Sequence, residues 1–118
     1  MRTLYWLAVV MPCMASPAFA HAFLQRAEPP VGSEVSAPPH ELVLTFTEGV
    51  EPLFTTVQVR DAGGVTLATG KPHTDPSNDR RLIVELPTLH SGTYTVIWHA
   101  TSVDTHKTEG QFHFTVAQ

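Results

Sequence analysis

Four short stretches alternate apolar and polar residues so regularly that they leave little choice of fold. Leu42, Leu44 and Phe46 interleave with Val43, Thr45 and Thr47, and Val57 and Val59 repeat the period in TTVQVR. Tyr94, Val96 and Trp98 do so again after Gly92, as do Phe112, Phe114 and Val116 at the end. Side chains on a strand point to opposite faces in turn, so a period of two describes a half-buried strand. Leu82 to Leu86, VTLA after the turn Asp61-Ala62-Gly63-Gly64, and FLQRA near the start bring the expected total to about seven strands. With Pro, Gly, Asp and Asn between them and no convincing helix, the pattern predicts an all-β domain, a small antiparallel β-sandwich. Trp98 is expected in its core. Residues 71–81, KPHTDPSNDRR, are expected to form an exposed loop, since Pro72 and Pro76 would interrupt any ladder.

Residues 1–20 have the three parts of a secretory signal. Arg2 gives the positive start, Leu4 to Val10 an uncharged apolar run, and Ala18-Phe19-Ala20 the small residues that precede a cut. The apolar run is shorter than the roughly 20 residues a membrane span needs. Cleavage before His21 is expected, leaving residues 21–118 as one exported domain. All three methionines (Met1, Met11, Met14) and the single Cys13 lie in the removed part. The mature chain therefore has no thiol, no thioether and no possible disulfide, and must be stabilised by packing alone. It carries six Lys/Arg against eleven Asp/Glu, a net charge of −5 with neutral histidines. No basic stripe is present, which argues against nucleic-acid binding, while the negative charge suits a protein that attracts cations.

The expected cut makes a functional group. It turns the backbone nitrogen of His21 from an amide into an amine, and an amine and an imidazole on one residue can chelate a single metal ion. In SVDTHKTEG, residues 102–110, Asp104 and His106 stand two apart. On an extended chain both would point the same way, with Cβ atoms roughly 6–7 Å apart, close enough to share an ion. Two nitrogens from His21, a third from His106 and an Asp104 oxygen make a tetragonal set that suits Cu(II), which the Irving–Williams order favours over Zn(II). Asp-x-His alone is a weak motif. Its weight comes from occurring together with a histidine at the expected cut.

These residues carry a family resemblance. The histidine at the mature start, PPVGSEV after it, LVLTFTEGV, and the closing GTYTVIWHATSVDTHKTEGQFHFTV with its Ser-x-Asp-x-His are similar to the CopC/PcoC family of periplasmic copper-binding proteins. The likeness runs over essentially the whole mature length. It implies a Greek-key β-sandwich or barrel, Ig-like or cupredoxin-like, and His21, Asp104 and His106 as ligands of one Cu(II) per chain. It also implies Glu48 near the site, as a supporting group or occasional ligand. The implied role is to sequester copper or hand it on, for homeostasis or resistance, with a CopD-like inner-membrane copper transporter as a partner and the protein itself a monomer. One departure stands out: the loop that is Met-rich in some members, here GVTLATGKPHTDPSND, holds His73 and no methionine. A Cu(II)-only version is expected, because Cu(I) favours soft sulfur ligands.

The other histidines are expected at the surface: His40 after Pro38-Pro39, His90 in TLHSG, and His99 with His113 as a cross-strand pair that would offer a second, weaker site. Two other function classes compete. A histidine-brace copper enzyme that activates oxygen would share the N-terminal histidine, but Asp104 would fill a position such an enzyme keeps open, so no enzymatic activity is expected. A metal-free structural β-sandwich would be indifferent to loss of His21 or His106.

Overall fold

Which residues alternate decides how the layers form. The computed structural model describes residues 22–118 as two four-stranded sheets packed face to face. The expected secretory signal, residues 1–20, and His21 lie outside the described residues. The strands are β1 (Leu24–Glu28), β2 (Glu34–Val35), β3 (Glu41–Phe46), β4 (Thr56–Arg60), β5 (His73–Asp75), β6 (Asn78–Glu85), β7 (Gly92–Thr101) and β8 (Lys107–Val116), with a 3-10 turn at Pro52–Phe54 before β4. One sheet has the order β1-β3-β6-β5 and the other β2-β8-β7-β4. Every pairing is antiparallel except that of β2, which runs parallel to β8.

The core lies between the sheets and is built from the alternating positions. Leu42, Leu44, Phe46, Leu82 and Val84 face Val59, Tyr94, Val96, Trp98, Phe112, Phe114 and Val116. Trp98 is in the core as expected, edge-on to Phe46 with ring centroids 5.3 Å apart. Its cross-strand partner is Gly110, and a Cβ there would sit 2.6 Å from Trp98 Cζ2. Gly110 is thus the only residue type that lets the indole lie flat against β8. Tyr94 stacks on Phe114 at 5.5 Å and donates its hydroxyl to the His90 carbonyl at 2.7 Å, joining the core to the turn before β7.

The class is the expected one, but the inventory differs in three places. VTLA is not a strand; only an isolated bridge from Arg60 to Thr66 forms there. The two-residue β2 lies along the last strand, where Thr115 N donates to Ser33 O and Ala117 N to Val35 O, both at 2.8 Å. Residues 71–81 are not a loop, for β5 and the first half of β6 form a hairpin within them. The two prolines fall where they do no harm: Pro72 precedes β5, and Pro76 sits in the turn. Asp75 shapes that turn, its Oδ1 accepting from the Ser77 amide (2.9 Å) and hydroxyl (2.8 Å). Polar composition suggested a loop, but local side-chain bonds made a tight reversal instead. Among the described residues the count is eight strands.

Candidate metal centre

β7 and β8 are joined by five residues, 102–106, and this turn carries Asp104 and His106. The expected extended conformation is not what forms. The strands must reverse within the segment, so Ser102 N donates to His106 O (2.9 Å) and Thr105 N donates back to Ser102 O (2.9 Å). Thr105 completes the reversal with φ +73°, in the left-handed region that a β-branched residue rarely occupies. The turn nevertheless brings the two side chains together, with Asp104 Oδ2 3.2 Å from His106 Nδ1. At that separation a neutral imidazole and the carboxylate stand close enough to bind one ion together.

Ser102 holds this turn from within. It is 1% exposed, at the inner face of the hairpin. Its hydroxyl donates to Asp104 Oδ1, accepts from His106 N at 3.1 Å and lies 3.2 Å from His106 O. The Ser102 bond, aided by the neighbouring His106, holds the Asp104 carboxyl below the ordinary carboxylate pKa. Asp104 is therefore an anion throughout the neutral and mildly acid range, as a cation ligand must be.

Two other segments reach the same end of the sandwich. Ala22 is fully buried, and its carbonyl accepts from Thr108 Oγ1 at 2.6 Å. Phe23 bonds twice to Thr47: its amide donates to Thr47 Oγ1 (3.0 Å) and its carbonyl accepts from Thr47 N (2.9 Å). The segment after β3 then crosses to the turn, where the Gly49 carbonyl accepts from Val103 N at 3.0 Å and Val50 bridges Ser102. Half-buried Glu48 is thereby carried to the end of the molecule that holds Asp104. Of the nominated ligands, Asp104 and His106 are brought together; His21 lies outside the described residues. Among the described residues, no three His, Asp or Glu side chains gather closely enough to hold an ion.

The remaining histidines separate from the site and from each other. His99 and His113 do not pair. The β7–β8 register sets His99 against Glu109, 3.0 Å from Nε2 to Oε2, and His113 against Thr95, 3.0 Å from Nδ1 to Oγ1. They are offset by four positions along the paired strands, because alternation put both on the outer face without fixing their register. His73 faces Glu85 at 3.6 Å, and His40 and His90 are exposed. Ser102, Thr108 and Thr47 are the residues that ligand chemistry alone overlooks. Ser102 had a sequence signal, standing at even spacing before Asp104 and His106, but Thr108 and Thr47 act across 86 and 24 residues and had none.

The fold and the turn define a class: a two-sheet β-sandwich with an Asp–His pair at the tip of its last hairpin, beside the start of its first strand. The chain belongs to the CopC family, whose CopC domain matches residues 24–117. Protein YobA of Escherichia coli K12 is 36% identical over 114 residues, covering 95% of this chain and 92% of that one. The copper transport protein CutJ of Bacillus subtilis is 27% identical over 99% of this chain, which corresponds to 22% of that longer protein. Among solved structures, CopC from Methylosinus trichosporium OB3b superposes with a TM-score of 0.78 at 32% identity, over 82% of this chain and 94% of that one. PcoC, a methionine-rich copper resistance protein of Escherichia coli, does so with 0.73 at 28% identity, over 82% and 99%.

Proposed function

We propose that this chain is a periplasmic Cu(II)-binding protein that takes one ion per chain. The ligands are the amine and imidazole of His21, freed by cleavage after Ala20, with His106 and Asp104. Glu48 stands by as a supporting group. The observation that carries the reading is the meeting of two chain segments. Ala22, one peptide bond from His21, is bonded to Thr108, two residues from His106. Relatives called copper transport and copper resistance proteins support copper as the cargo.

The mature chain's lack of any sulfur ligand favours Cu(II) over Cu(I). An Asp104 oxygen in the fourth equatorial position favours holding the ion over activating oxygen on it, so the role is carriage or sequestration for homeostasis or resistance. A CopD-like inner-membrane transporter is the proposed recipient, and the working form is a monomer.

The test is a Cu(II) titration followed by EPR on protein shown by intact mass to begin at His21, with a form extended by one residue as control. One equivalent with a tetragonal, nitrogen-rich signal that weakens or changes shape in the extended form supports the reading. The same signal in both forms removes the amine from the site.

A further inference from the structure

We propose that Thr108 is a positioning residue for the copper site, its hydroxyl pinning the N-terminal arm against the Asp104–His106 turn. The inference rests on the reading of His21 as a ligand. Thr108 lies on the inner face of β8, the face that carries Gly110, Phe112 and Phe114 further along. At this end of the strand its cross-strand partner is the small, buried Ala100 rather than a large core side chain. Its Oγ1 instead donates 2.6 Å to the carbonyl of Ala22, a residue with no exposed surface. A buried carbonyl deprived of this donor would have no water to replace it.

The bond has a specific place in the connectivity. Ala22 enters from the sheet of β1 and β3, whereas Thr108 belongs to the sheet of β7 and β8. The contact therefore links the two sheets at the end where the site lies. It also joins the residue after His21 to the residue two beyond His106. Thr47 holds the same arm at Phe23 from the first sheet, with its hydroxyl 3.0 Å from the Phe23 amide. The arm is thus held from both layers. Chain ends without such ties fray, and a chelate built on a fraying end must be ordered each time it binds. Pinning Ala22 meets that ordering cost during folding, leaving little for the metal to do.

The test replaces Thr108 by Val, which keeps the shape and removes the hydroxyl, and by Ser, which keeps the hydroxyl. Cu(II) affinity is measured by chelator competition and the site by EPR, each in the protein beginning at His21 and in the one-residue-extended form. Thr108→Val is expected to weaken binding about tenfold and broaden the signal, as loss of one buried bond implies. Thr108→Ser is expected to bind like the parent. In the extended form, where the amine is displaced, Val and Thr are expected to bind alike. If Thr108→Val does not fold, Thr108→Ala and Thr108→Ser give the same contrast.

Parental affinity in the Val or Ala variant, an equal loss in Ser, or an equal loss in the extended form would each overturn the assignment. Failure of the underlying reading looks different: extension alone would leave the parent's copper binding unchanged, without any Thr108 variant being made.

Discussion

The hydroxyl of Ser102 makes three contacts within five residues, and the chemistry of the turn depends on it. Ser102→Ala removes the donor to Asp104 and leaves the His106 amide without its buried acceptor. A loss of about 1–3 kcal/mol is expected in urea melts of the metal-free protein. The Asp104 pKa, read by NMR titration, should rise toward the ordinary carboxylate value. The sign of the wild-type pH dependence follows from the depressed pKa. A carboxyl more acidic in the folded than in the unfolded chain contributes stability that is whole above about pH 4 and lost as pH falls through the folded value. Asp104→Asn should therefore flatten the fall of the urea midpoint below about pH 4; an unchanged slope would contradict this account. Asp75, also depressed, chiefly by its bond to the Ser77 amide, contributes in the same window. At this scale the sequence singled out Asp104 and His106, which the turn sets 3.2 Å apart, because ligand types are written in single letters. It did not name Thr108 or Thr47, because a hydroxyl is ordinary until the fold sets a carbonyl or amide before it.

The last hairpin is where element and site meet. Gly110 and Trp98 fix how closely β7 and β8 approach over the core. Gly110→Ala should cost about 1–3 kcal/mol, since the new methyl would press on the rigid, buried ring. A melting temperature equal to wild type would show that the indole can slide aside. The tip is under the opposite kind of constraint. Thr105 at φ +73° carries a cost that Asn, tolerant of that region, would not. Thr105→Asn should stabilise the metal-free protein by up to about 1 kcal/mol, read by urea denaturation. The strands of this hairpin were legible because ten-residue alternation admits no other structure. Its tip was not: Asp104 and His106 fit an extended reading as well as a turn, and the difference lies in Ser102 folding back on His106. The β5–β6 hairpin was missed for a similar reason, its turn being made by Asp75 and Ser77 rather than by hydrophobic pattern.

Across the whole molecule, residues 21–118 contain no Cys or Met, so the proposed copper site has nitrogen and oxygen donors but no sulfur. Reduction of the bound ion by ascorbate without oxygen should therefore release it to a Cu(I) chelator at stoichiometric concentrations. Retention of Cu(I) against that chelator would mean that the histidines alone suffice for it. The fold class was readable from alternation, yet the sheet order was not, since β2 joins β8 in parallel and β5 joins β6 through a turn whose Asp, Pro, Ser and Asn read equally well as loop. The path of β8 gives the molecule a polarity. Ten residues carry the chain from Lys107, beside the site, to Val116 opposite Gly92, roughly 30 Å away at 3.4 Å per residue. A tether, dye or fused domain attached after Val116 would thus leave from the pole opposite the candidate centre. A surface coated through that end would display every candidate centre outward.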